Sequence, residues 1–139
     1  MAYCIQKLDI IHNQKCHFYK LLIDGKCQFD EFASEAERIP ANKKSLANIY
    51  SRMDSFDPNI KEPKEKFNHI KGGKYDRKDV YEFKKDQVRV YVILIKPNIY
   101  VVCGAIKKGK KDQQREIDRL FNAVNAFDEK DIIVQFQNN

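Results

Sequence analysis

The chain has 139 residues, of which 42% are hydrophobic and 12% aromatic, and its formal net charge is +6. These values exclude a disordered chain and predict one packed domain over residues 1–139. The longest apolar run is too short to cross a bilayer, so we expect no contact with a membrane.

The positive charge is concentrated in the middle of the chain. Residues 1–59 hold eight basic and eight acidic side chains, residues 60–111 hold fifteen and six, and residues 112–139 hold three and six. The central block therefore carries 15 − 6 = +9. Such a block attracts polyanions, and this attraction weakens as salt rises. The alternative is a lysine-rich surface that is merely solvated.

The cysteines and the first residues indicate the cellular compartment. Cys4, Cys16, Cys27 and Cys103 lack the close pair spacing of a zinc site or a redox motif. The chain begins MAYCIQKLDI, which is not the pattern of a secretory signal. We therefore expect reduced thiols, no metal and a cytoplasmic protein.

The first half of the chain predicts two strands followed by two helices. Residues 4–11 and 16–23 are short apolar runs separated by a hairpin-like break. In FDEFASEAERI the apolar residues fall on one helical face, and Pro40 ends that helix. Asn42 can cap a second helix, whose apolar side carries Leu46 and Ile49. The two segments predict a helical hairpin.

The second half predicts a β-meander and a final helix. A polar, basic loop over residues 59–79, with one turn near Phe67 and Ile70, leads into strands at 80–83, 88–95 and 99–106. A helix follows from residue 112 to about 126, and residues 131–136 are a candidate for one more edge strand. The fold class predicted is α+β, with the helices packed on an antiparallel sheet.

Three basic groups flank or lie within this meander, and together they predict a trough that binds anions. They are the loop group Lys71, Lys74, Arg77 and Lys78, the strand group Lys84 and Arg89, and the terminal group Lys107, Lys108, Lys110 and Lys111. The first and third groups converge only if the two outer strands share an end of the sheet. Otherwise one strand length, roughly 15 Å for a short strand, separates them, which is about the span of a few nucleotides and still forms a trough.

Arg89 is unusual because it lies inside the apolar strand VRVYVILI, on the face opposite Val88 and Val90. It either pairs with Glu82 across the hairpin or grips a phosphate with its bidentate fork. Other chemistry is less well supported by the sequence. The three histidines lack metal-ligand spacing, although His69 is a minor catalytic candidate, and the glycines lack the spacing of a phosphate loop.

Aromatic side chains near the basic groups are a further candidate for nucleic-acid contact. Tyr75, Tyr81 and Tyr91 lie in or beside the meander, where they either stack on bases or belong to the core.

The ordered set of motifs resembles the RelE/HigB-type toxins of bacterial toxin–antitoxin modules, most of all the phage-related, HigB-like branch. The residues that carry the resemblance are VYEFK at 80–84, VRVY at 88–91, GAIKK at 104–108 and REI at 115–117. Upstream, CQFDEFASEAE is similar to the start of a helix in that family. The resemblance spans roughly residues 16–127 and implies a RelE-like fold.

The resemblance implies an mRNA endoribonuclease that uses no metal or other cofactor and usually acts on the ribosome. Its reaction is attack of a ribose 2′-OH on the adjacent phosphate, which leaves a cyclic phosphate and a 5′-OH. The catalytic residues implied by position are Lys84, Arg89, Lys107 and Lys108. The RNA-binding residues expected along the trough are Lys71, Lys74, Arg77, Lys110 and Lys111.

The chain departs from the family near its C-terminal end. Many relatives carry a Tyr or His there for proton transfer, and this sequence has neither after Tyr100. The general base is then a lysine such as Lys107 or Lys108, a residue of the 69–81 loop, or Glu82. Two alternatives remain: a RelE-fold protein that binds RNA or a protein partner without cleavage, and a ParE-like gyrase inhibitor.

The partners expected for a toxin are mRNA, the ribosome and a cognate antitoxin. The antitoxin should present an acidic or amphipathic segment, because its target surface is the +9 block.

Overall fold

The structure, a computed structural model of the chain, describes residues 1–71 and 77–133, apart from the side chains of residues 110–112. The strands within these ranges are β1 Tyr3–Lys7, β2 His17–Ile23, β3 Phe67–His69, β4 Val80–Lys85, β5 Val88–Ile95 and β6 Asn98–Ile106. The α-helices there are α1 Gln28–Ala36, α2 Pro40–Ser55 and α3 Lys110–Val124. The α+β class is therefore confirmed.

The described strands form one mixed sheet in the order β1-β2-β6-β5-β4-β3. The predicted meander is present, because β4, β5 and β6 pair antiparallel in sequence. The expectation of a wholly antiparallel sheet is wrong at one place, where β2 pairs with β6 in parallel from His17↔Asn98 to Lys20↔Val101. The helical hairpin and two strands of the meander lie between β2 and β6, a crossover long enough to return the chain in the same direction.

Two further expectations are corrected at the edges of the sheet. The loop predicted over residues 59–79 contains β3, which pairs with β4 from Phe67↔Phe83 to His69↔Tyr81. At the other edge, Glu129–Asp131 form a short 3-10 helix and Ile133 makes one isolated parallel bridge to Cys4. The edge strand predicted over residues 131–136 is thus not seen up to Ile133, and residues 134–139 lie outside the described residues.

The two faces of the sheet carry separate apolar layers, as the alternation in β5 predicts. Val88, Val90 and Val92 pack beneath α1 and α2. On the other face Tyr91 packs with Phe121 and other apolar residues of α3. Arg89 is therefore placed on the α3 side of the sheet, among the side chains that α3 partly covers.

Gly104 in β6 lets α1 approach the sheet closely. A Cβ atom at this position would lie 2.3 Å from the ring of Phe32 and 2.8 Å from the backbone oxygen of Arg89.

No helix among the described residues is long and apolar enough to cross a membrane.

Candidate functional site

Four charged side chains meet on the α3 face of the meander: Glu82, Lys84, Arg89 and Lys107, here called the Glu82 cluster. Lys84 lies opposite Arg89 in the β4–β5 register, and Glu82 precedes Lys84 by two residues on the same face. Arg89 in turn lies opposite Ala105 of β6, two residues before Lys107. The backbone amide of Lys107 donates to the carbonyl of Gln87 at 2.7 Å, which holds it beside the start of β5.

Arg89 is buried, with 8% of its surface exposed. Its Nη1 donates to the carbonyl oxygens of Asp86 at 2.7 Å and Val88 at 3.0 Å, so the strand's own backbone holds the guanidinium in place. Its Nε is buried and has no hydrogen-bond partner among the described residues. A buried donor without a partner is costly unless a ligand or water completes it.

Glu82 is more deeply buried than Arg89, with 3% of its surface exposed. Its Oε1 lies 3.9 Å from the Nζ of Lys84, whereas its Oε2 is buried without a hydrogen-bond partner in the described part of the chain. The predicted alternative in which Glu82 pairs with Arg89 is not what the structure has, because the ion pair of Glu82 is with its strand neighbour Lys84.

Burial raises the pKa of the Glu82 carboxyl above its usual range. The charges of Lys84 and Arg89, a hydrogen bond from the side chain of Asn68 and the charge of Lys107 oppose this shift without cancelling it. The carboxyl is therefore a stronger base than an exposed glutamate, and it takes up a proton more readily. A carboxyl that takes up a proton more readily is better suited to act as a general base.

The cluster combines an arginine fork, two ammonium groups and a carboxyl of raised pKa within one partly covered face. Lys84 and Lys107 are half-buried, so their charges are less screened than those of fully exposed lysines. Arginine and lysine together suit a phosphate, whose oxygens accept several hydrogen bonds. The described part of the chain offers no hydrogen-bond partner to the Nε of Arg89 or the Oε2 of Glu82.

The other predicted site residues that the structure describes, Lys71, Arg77 and Lys108, do not join the cluster. The loop group precedes Val80, which lies opposite Ile93, whereas Lys107 follows Ile106, which lies opposite Val88. Val88 and Ile93 are five residues apart, which is about 17 Å along a strand. The outer strands therefore do not share an end, and the two groups lie about one strand length apart, which is the second of the two expected arrangements. A trough along this length stays a prediction. Lys108 and Lys71 are exposed at opposite ends of the sheet.

Arg77 has a structural role that the sequence did not indicate. Its Nε and Nη2 donate to the Asp79 carboxylate, and its Nη1 donates to the backbone oxygens of Val124 and Phe127. Its guanidinium also lies 5.2 Å from the centre of the Phe127 ring. These contacts fasten the loop to the C-terminal end of α3, so the expectation that Arg77 binds RNA is not supported by its position.

Three predicted RNA-binding residues cannot be placed. Lys74 and the side chains of Lys110 and Lys111 lie outside the described residues.

The sequence alone does not single out Glu82, which it offers either as a partner of Arg89 or as one of several possible bases. The signal was present in VYEFK, where an acidic residue interrupts an apolar strand two positions before Lys84. Tyr91, which lies opposite Glu82, is 1% exposed and belongs to the core, so stacking on a base is excluded for it.

A comparison with protein-family models finds no match, and a comparison with curated protein sequences finds none either. The resemblance to RelE/HigB-type toxins stays a prediction that rests on the short motifs described above.

Proposed function

We propose that this chain is an RNA endoribonuclease of the RelE/HigB toxin type and that the Glu82 cluster is its active site. One observation carries the proposal. Glu82 and Arg89 are each more than nine-tenths buried, yet one carboxylate oxygen and one guanidinium nitrogen have no partner within residues 1–71 and 77–133, and two lysines lie beside them. A buried group without a partner is rare in folded proteins and points to a ligand.

In this proposal the cations bind the scissile phosphate. Arg89 uses its free Nε to donate to a non-bridging oxygen, while its Nη1 stays bonded to the carbonyls of Asp86 and Val88. Lys84 and Lys107 approach the same phosphate from the neighbouring strands. The negative charge that develops on the pentacovalent phosphorane is stabilised by donors that are already in position.

Glu82 acts as the general base. Its carboxylate accepts the proton of the 2′-OH, the bond from O2′ to phosphorus forms, and the bond from phosphorus to O5′ breaks. The O5′ leaving group takes a proton from Lys107, so the products are a 2′,3′-cyclic phosphate and a 5′-OH. All of these groups belong to the chain itself, so the step uses no metal ion, as the family resemblance implies.

We further infer that the chain is the toxin of a toxin–antitoxin module, acting in the cytoplasm on mRNA at the ribosome. The +9 charge of residues 60–111 supports a polyanionic substrate. The same charge supports a cognate antitoxin whose acidic segment covers the cluster. The exposed Lys71 and Lys108 extend the attraction beyond the scissile phosphate.

The test is induced expression of the wild type and of Lys84→Ala/Lys107→Ala in a bacterial host, followed by mapping of mRNA 5′ ends. The wild type should arrest growth and produce new 5′ ends within coding regions. The double variant should lower the yield of these ends by at least about 100-fold, because it removes two phosphate-binding cations. The matched control is Lys43→Ala/Lys44→Ala, which removes the same charge from exposed positions of α2 and should leave cleavage unchanged.

Other outcomes distinguish the remaining functions. Growth arrest without new 5′ ends would contradict cleavage and favour inhibition of gyrase. Neither arrest nor new ends would favour a protein of the same fold that binds RNA or a partner without cutting.

A further inference from the structure

A concave site lies near the β3 edge of the sheet, on the face opposite the Glu82 cluster. The loop of residues 56–64 folds over β3, β4 and the end of β5 and leaves a pocket of about 400 Å³. This volume falls within the range of about 300–1,000 Å³ that is typical of sites for small organic groups. We call it the aromatic pocket, because Phe67, His69 and Tyr81 line it.

The aromatic rings of the pocket are ordered and accessible. Phe67 and Tyr81 are parallel, with ring centres 4.9 Å apart and 2° between their planes. The ring of His69 lies 4.9 Å from that of Tyr81, and its Nε2 is 2.7 Å from the carbonyl oxygen of Lys78. All three side chains are half-buried, unlike the fully buried aromatic residues of the core. Tyr81 therefore presents part of its ring within a concave surface.

Lysines surround these rings. The lining of the pocket includes three exposed lysines, Lys61, Lys64 and Lys96. Among the described residues of the lining, Glu62 is the one that is acidic. Aromatic rings bordered by cations suit a nucleotide, because its base can stack on a ring while its phosphates remain near the positive charges.

The pocket and the Glu82 cluster lie on opposite faces of the sheet, near its β3 edge. Asn68 of β3 lies opposite Glu82, whereas its neighbours Phe67 and His69 point to the other face and line the pocket. Because β3 is the edge of the sheet, a chain that runs from Glu82 to Tyr81, on the other face of β4, passes around the outside of β3 and so covers the width of that strand on each face and the thickness of the sheet.

We propose that the aromatic pocket binds a nucleobase of the single-stranded RNA whose scissile phosphate lies in the Glu82 cluster. The inference rests on the proposed function for the position of that phosphate. The base stacks against Tyr81, and Lys61 and Lys64 contact the phosphates beside it. Stacking of this kind strengthens binding with little dependence on sequence.

The probe is a single-stranded RNA with 2′-O-methyl riboses and 5-iodouracil bases, which binds but cannot be cleaved. Ultraviolet crosslinking to the wild-type protein, followed by peptide mass spectrometry, should place the adduct on Tyr81, Phe67 or His69. Fluorescence anisotropy should show that Tyr81→Leu weakens binding about tenfold. Tyr81→Phe, which keeps the ring, should bind as the wild type does.

The lysines are tested with a matched pair of variants. Lys61→Gln/Lys64→Gln should bind the same RNA more weakly and show a smaller dependence of affinity on salt. Lys43→Gln/Lys44→Gln, which removes equal charge from α2, should bind normally. Thermal melting of every variant separates a loss of contact from a loss of fold.

Each outcome decides the inference independently of cleavage. Adducts in the pocket from a protein that cleaves no mRNA would support the pocket and overturn the proposed activity. If the protein cleaves RNA but the adducts lie elsewhere and the Tyr81→Leu protein binds RNA as the wild type does, the pocket does not bind a nucleobase. The proposed activity would then stand, and a protein partner would be the remaining occupant of the pocket. Absence of measurable RNA binding would also overturn the inference.

Discussion

Replacing Glu82 with glutamine is expected to lower RNA cleavage by about 10²- to 10⁴-fold, the contribution that a general base commonly makes. Glutamine has nearly the same shape, but it cannot accept the proton of the 2′-OH. The cations that bind the phosphate remain, so affinity for uncleavable RNA should be retained or increased. The rate of the wild type should rise with pH through a midpoint above the usual carboxyl range, because burial raises the pKa of Glu82.

The same substitution is expected to stabilise the folded protein. The pKa of Glu82 is higher in the folded than in the unfolded state, so the folded state binds this proton more tightly. The resulting penalty is absent below the unfolded pKa, grows as pH rises toward the folded pKa, and is complete above it. Urea unfolding between about pH 4 and pH 8 should therefore show a Glu82→Gln advantage that increases with pH.

Glu31→Gln is the control, because it removes an exposed carboxylate from α1. It should change neither the rate of RNA cleavage nor the free energy of unfolding. Full activity of the Glu82→Gln protein would remove Glu82 from the chemistry. A variant that is less stable at neutral pH would mean that the carboxylate gains more from Lys84 and Arg89 than burial costs.

Arg89→Lys is expected to reduce cleavage by about 10²- to 10³-fold although the positive charge is kept. The backbone oxygens of Asp86 and Val88 hold Nη1, and the buried Nε has no hydrogen-bond partner among the described residues. A lysine is a single point donor, so it cannot bond these carbonyls and also present a second nitrogen to a phosphate. Single-turnover cleavage of ribosome-bound message measures the effect, and thermal melting reports any loss of stability.

The matched control for Arg89 is Arg115→Lys at an exposed position of α3, which should cleave normally. Wild-type cleavage by the Arg89→Lys protein would show that Arg89 serves only to fasten the start of β5.

The features that the sequence predicted correctly are those encoded by local periodicity. In VRVYVILI the alternation separates Val88 and Val90 from Arg89 and Tyr91, and these residues indeed lie on opposite faces. Because the turns of the meander are tight, this alternation also predicted that Lys84 and Arg89 lie on neighbouring strands. For this reason the sequence alone predicts that Lys84 and Arg89 lie next to each other in the candidate site.

The features that it predicted wrongly depend on contacts between distant segments. The parallel pairing of β2 with β6 follows from how the helical hairpin crosses the sheet, which no short motif specifies. Three residues of β3 are too few to show an alternation. The clamp of Arg77 on the end of α3 joins residues 47 and 50 positions apart, so the sequence showed only another cation in a basic loop.

The most direct test of the account is the chemistry of the RNA ends produced by purified protein in a cell-free translation reaction. We expect fragments that end in a 2′,3′-cyclic phosphate and begin with a 5′-OH. A 2′-deoxy substitution at the scissile nucleotide should abolish them, because the nucleophile is then missing. Intact message, or fragments that begin with a 5′-phosphate and survive the 2′-deoxy substitution, would contradict the proposed role of the Glu82 cluster.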